Sequence, residues 1–120
     1  MSAPSQLSLF VDSDGNSDSA ERQAAIAAYQ HLTQTVLPHL ARSGQAAWPV
    51  REDHCFQRIV LDAICGGPWY DHIKKPAYQH LTRDQALAAV ALCHDVIEGR
   101  QDLAALNQNS LRWRGKLKSR

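Results

Sequence analysis

No apolar run in this chain approaches the roughly 20 residues a helix needs to cross a bilayer. The N-terminus also lacks the charged-then-apolar order of a signal peptide, so no membrane partner is expected and the location expected is cytoplasmic. Cysteine is sparse. Cys55, Cys65 and Cys93 are odd in number and all fall in helix-like stretches, which argues against a disulfide scaffold and for reduced thiols. A phosphate-binding glycine loop is missing: Gly66-Gly67-Pro68 follows a helical stretch, where such loops follow a strand. There is no internal repeat and no convincing alternating pattern of the kind a strand needs. Acidic side chains vanish after Asp102, and every later charge is positive: Arg112, Arg114, Lys116, Lys118 and Arg120. The other end is the reverse, with Asp12, Asp14, Asp18 and Glu21 preceding the first basic residue, Arg22.

What is present is organised around Glu52–Trp69. Phe56, Ile59, Val60, Ala63 and Ile64 recur at helical spacing and make one face apolar. Asp53 is the candidate N-cap, and Gly66-Gly67 with Pro68 ends the helix. So apolar a face requires partners, which makes this the central helix of the domain.

Other helices follow from caps and stripes. Asp18-Ser19-Ala20-Glu21 reads as a capping box opening a helix near Ser19, with Ile26, Tyr29, Leu32, Val36 and Leu40 as its stripe. Pro38 should kink that helix or end it one residue earlier. Trp48-Pro49 is an apolar clip before the central helix, and Pro68 opens a short turn through Trp69, Tyr70 and Ile73. Thr82-Arg83-Asp84-Gln85 is a second capping box, for a helix running to Glu98 and closed by Gly99. Its stripe is Ala86, Leu87, Val90, Cys93 and Ile97. A last helix starts near Asp102 and stops at Gly115. The fold class is therefore all-α: a bundle of four to five helices over residues 19–115, a flexible N-terminal arm over 1–18 and a basic tail over 116–120. Phe56, Ile59, Val60, Ile64 and Val90 are the expected core.

Within the central helix His54, Arg58 and Asp62 recur at i, i+4, i+8 and form a polar stripe beside the apolar one. Asp62 orienting Arg58, with His54 and Trp69 nearby, is a candidate site for a small enzyme or ligand-binding domain. The simpler alternative is an i,i+4 ion pair on a solvated face. No nucleophile–base–orienter set completes it, which favours a binding protein over an enzyme. Zinc is not expected: in His54-Cys55 and Cys93-His94 the ligands are adjacent, and neighbours on a helix diverge by about 100°. No cofactor is expected.

The most informative signal is the pentapeptide Gln6-Leu7-Ser8-Leu9-Phe10, followed by the short, acidic, Gly- and Ser-rich Val11–Ser19. It resembles the peptide by which bacterial replication and repair proteins dock on the DNA sliding clamp, whose consensus is Gln-Leu-Ser/Asp-Leu-Phe. All five positions agree. The resemblance implies that Gln6 is the polar anchor, that Leu9 and Phe10 fill an apolar cleft on the clamp, and that Leu7 takes a shallow side pocket. Chance and an arm packed on its own helices are the competing explanations for so short a motif.

At the other end, Arg112, Trp113, Arg114, Lys116 and Lys118 alternate cations with an aromatic, a composition that neutralises phosphates while Trp113 stacks; duplex DNA is the expected partner. The alternative is a solvated helix end whose cations favour the macrodipole. Finally, residues 50–116 are similar to a group of small helical proteins from bacteria and fungi. The similarity lies in His54-x-Phe56-x-Arg58, Gly67-x-Trp69, Lys75-Pro76-Ala77 and Leu106-Asn107-x-x-Ser110-Leu111-x-x-Arg114-Gly115-Lys116. That group carries an acetyltransferase-like label, while this chain has no β-rich core or Gly-rich acetyl-CoA loop. The similarity implies a helical fold and leaves the function open.

Overall fold

The computed structural model describes residues 13–44 and 48–116. Gln6, Leu7, Leu9, Phe10 and Lys118 lie outside the described residues. All regular structure among the described residues is helical, with no strand. Helix α1 spans Ser13–His31, a π turn covers Leu32–Val36, and α2 continues as Leu37–Ser43, the three forming one rod. Helix α3 is Asp53–Cys65, followed by a 3₁₀ turn at Trp69–Asp71 and the single-turn α4 at Ala77–His80. Helices α5, Arg83–Ile97, and α6, Leu103–Trp113, complete the domain.

Helix α3 occupies the centre expected of it. It contacts α2, the π turn, α5 and α6, and Phe56, Ile59, Val60 and Leu61 are all buried. Trp48 packs edge-on against Phe56, with ring centroids 5.8 Å apart, which is the clip anticipated before this helix. The closing signals also act as read. Gly66, Gly99 and Gly115 each take positive φ just past α3, α5 and α6, where a side chain would be strained. The Thr82 capping box is complete: Gln85 N–H donates to Thr82 Oγ1 at 3.0 Å, and Thr82 N–H donates to Gln85 Oε1 at 2.9 Å. Asp102 caps α6 by accepting from Ala104 N–H at 3.1 Å.

Four expectations change. Helix α1 starts at Ser13 instead of near Ser19, so residues 13–18 of the expected flexible arm are helical. Asp18 and Glu21 both pair with Arg83 of α5, so neither serves as a local cap. Asp53 is the first residue of α3, and Glu52 takes the N-cap position with no side-chain bond. Pro38 does not end its helix one residue earlier, since α2 runs on to Ser43. It sits in the first turn of α2, and the π turn just before it widens the backbone so that Leu37 N–H reaches Leu32 O. Thr33 Oγ1 donates to Tyr29 O at 2.9 Å inside the same turn. The wider turn advances the stripe by one position, so Leu37 and Ala41 are buried while Val36 and Leu40 are half-buried.

Helix α5 is rotated about its axis relative to the expected stripe. Ala86, Ala89, Cys93 and Val96 are buried, Val90 and Ile97 are half-buried, and Leu87 is 41% exposed. The buried face is made of small side chains, which lets α1 lie close along α5, its most extensive partner in the domain. Ile64 of α3 is likewise half-buried against the core.

Candidate ligand-binding cleft

The polar stripe of α3 is split by depth. His54 is exposed near the helix start, Arg58 is half-buried one turn on, and Asp62 is completely buried. The i,i+4 pairing of Asp62 with Arg58 does not form. Asp62 is taken instead by Arg114, just beyond α6: Arg114 Nε donates to Oδ2 at 2.7 Å and Nη2 to Oδ1 at 3.0 Å. Two more donors complete the carboxylate, Ser110 Oγ–H at 2.6 Å and the backbone N–H of Trp69 at 2.9 Å. A buried carboxylate needs this much compensation, since its desolvation costs several kcal/mol. Hydrogen bonding to Asp62 in turn pushes the Arg114 pKa up further, so its charge is permanent.

Arg58 hangs on the same framework from the other side. Its Nη1 donates to Ser110 Oγ at 2.7 Å and its Nη2 to Asn107 Oδ1 at 2.8 Å. Ser110 thus accepts from Arg58 and donates to Asp62, linking both arginines through one hydroxyl. Arg58's own partners are neutral, and no carboxylate lies in ion-pair reach of it among the described residues.

Above this framework lies a cleft of about 530 Å³, within the usual size of a small-molecule site. Tyr29, Gln30 and Gln34 supply one wall, from the end of α1 and the π turn. His54, Gln57, Arg58 and Leu61 supply the α3 side. Trp69, Lys75, Pro76, Ala77, Tyr78 and Arg114 close it. Among the described residues no carboxylate lines it. The walls are fixed: Gln57 Nε2 donates to Thr33 Oγ1 at 3.2 Å, tying α3 to the π turn. Arg22 of α1 donates to the carbonyls of Leu81 at 2.6 Å and Gln79 at 2.8 Å, holding the segment that carries Tyr78. Tyr70 stands behind, with Lys75 Nζ 5.5 Å and the Arg114 guanidinium carbon 5.0 Å from its ring centroid.

Of the residues expected to form a site, His54, Arg58 and Trp69 come together on the cleft, and Asp62 sits beneath it as an anchor for Arg114. Gln57, Lys75, Tyr78, Asn107 and Ser110 were not among the expected site residues. The signal for some of them was present: Lys75-Pro76-Ala77, Asn107 and Ser110 fall in the short motifs already singled out in the sequence. The basic C-terminal set is divided. Arg114 faces inward, while Arg112, Trp113 and Lys116 are exposed, with Arg112 donating to Asn109 Oδ1 at 2.9 Å.

The thiols are quiet. Burial pushes Cys93 up to about 12, and burial together with the nearby Asp62 charge raises Cys65. Among the described residues no group of three His, Cys, Asp or Glu side chains is arranged to hold a metal ion. None of the described helices is long and apolar enough to cross a membrane. No protein-family model, curated protein or solved structure matches the chain.

Proposed function

We propose that this chain is a clamp-tethered accessory protein of bacterial DNA replication or repair, docking through Gln6, Leu7, Leu9 and Phe10 and touching DNA with its helical domain. The observation that carries this is the pentapeptide itself, which agrees with the clamp-docking consensus at all five positions. A DNA contact is supported by the exposed Arg112, Trp113 and Lys116 beside the end of α6. Docking by the peptide raises the local concentration of such a weak second contact.

The test is a double substitution, Leu9→Ala with Phe10→Ala, assayed against a bacterial sliding clamp. Burying two such side chains is worth roughly 1.5–3 kcal/mol each, and the intact peptide should bind at about micromolar affinity. The double variant should lose clamp binding and keep its melting temperature. Unchanged binding, or a large fall in melting temperature, overturns the docking role. In parallel, Arg112→Gln with Lys116→Gln should weaken duplex binding and reduce its salt slope by about two, with no loss of stability because both side chains are exposed.

One observation favours a second function, a ligand-binding domain. A clamp tether does not need a concave site, yet a cleft lies over the polar stripe of α3 with Arg58, His54 and Trp69 on its surface. The two functions are compatible in one chain.

A further inference from the structure

The cleft combines three chemistries: cations without carboxylate partners, exposed aromatic faces, and a row of amides. Arg58 and Lys75 both line it, and neither has a carboxylate within ion-pair distance among the described residues. Arg114 adds a third cation, but Asp62 already balances it. Two uncompensated positive charges in a partly enclosed site call for about two negative charges on the occupant. A carboxylate supplies one; a phosphomonoester supplies close to two at neutral pH. Arg58 is held ready for such a group, because Ser110 and Asn107 fix its guanidinium before any ligand arrives.

The rest of the lining asks for a planar ring. Trp69 is half-buried and Tyr78 is 44% exposed, so each offers ring surface to a stacking partner. Gln30, Gln34 and Gln57 bring amide donors and acceptors to the opposite walls, suited to the edge of a heteroaromatic base. We infer that the cleft binds a nucleoside monophosphate, either as a free nucleotide or as the phosphorylated end of a nucleic-acid strand. The phosphate lies at Arg58 and Lys75, and the base lies against Trp69 and Tyr78. This inference rests on the ligand-binding function of the cleft and is independent of the clamp peptide.

The experiment titrates the full chain, without the clamp, by calorimetry. The probes are thymidine monophosphate, thymidine, inorganic phosphate, and a thymidine dodecamer with and without a 5′-phosphate. Lys75→Gln is the test variant, since Lys75 is exposed and its loss leaves the buried framework untouched. Lys74→Gln is its control, exposed and outside the cleft. Thymidine monophosphate or the phosphorylated dodecamer should bind more tightly than its unphosphorylated counterpart. Lys75→Gln should weaken that binding about tenfold, and Lys74→Gln should leave it within about twofold. Binding of the nucleotide identifies a free ligand; binding of the phosphorylated strand alone identifies a strand end. Inorganic phosphate that binds as well as the nucleotide and is weakened by Lys75→Gln keeps the cleft as an anion site and overturns the nucleotide. Equal binding of phosphorylated and unphosphorylated probes, or equal effects of the two lysine variants, overturns the site itself.

Discussion

Asp62 of α3 and Arg114, just past the end of α6, form a two-point ion pair in which the carboxylate is wholly buried and the guanidinium half-buried. The pair fastens the last helix to the central one and sets the depth at which Arg58 can reach Ser110.

Removing Arg114 strands the Asp62 charge in the interior. Arg114→Leu should destabilise the domain by about 3 kcal/mol or more, measured as a shift in the urea midpoint. Arg114→Lys should recover only part of this, because an ammonium cannot grip both oxygens. The double change Asp62→Leu with Arg114→Leu should cost less than the sum of the single changes. Additive losses would show that the two side chains are not coupled.

The face of α5 gives a second test. Leu87→Ala should change stability by no more than about 0.5 kcal/mol, as expected for an exposed position, whereas Phe56→Ala should cost about 3–5 kcal/mol through the cavity it opens. A large effect at Leu87 would mean that the helix packs on the face its sequence suggested.

That contrast shows how far the sequence could be read. The helical class, the central place of α3 and the stops at Gly66, Gly99 and Gly115 were legible because caps and glycines act locally. The core face of α5 was legible only in part: Ala86 and Cys93 were expected in the core and are buried, whereas Leu87 is exposed and Ala89 and Val96 take its place. Leucine and valine score as core whenever the spacing allows, but here Ala89 is buried beside Ala86 and Leu87 is not, because small side chains let α1 approach. Nor was the phase of α2 legible, since the π turn inserts its extra residue where the pattern assumes α geometry. At the site, the i, i+4, i+8 spacing located His54, Arg58 and Asp62 correctly on one helix. It could not show that Asp62 bonds a residue 52 positions away and leaves Arg58 with neutral partners.

Alkaline pH should weaken the fold in a defined window. The Cys93 thiol is raised from its usual 9.0 to about 12 by burial, so the folded chain holds a proton that the unfolded chain gives up from pH 9. The stabilising contribution is complete below pH 9 and is lost as the pH climbs from 9 towards 12. Over that interval the loss should be on the order of 1 kcal/mol per pH unit. Tyr29, raised from its usual 10.0 by burial and then by Cys93, acts in the same direction from pH 10 upward and so overlaps this window in both proteins. Urea midpoints of the wild type and Cys93→Ala, compared across this window, check it. The variant should start less stable and decline less steeply. Parallel slopes would exclude the thiol as the cause.

The Asp62–Arg114 pair also sets an order of events during synthesis. The central helix leaves the ribosome with its carboxylate unmatched, and the guanidinium that matches it is translated only 52 residues later. Until then α3 has an apolar face seeking burial and a charge resisting it, which disfavours an early partial core around this helix. A nascent chain stalled before Arg114 should therefore hold this apolar face less firmly closed and be open to whatever surveys incomplete products.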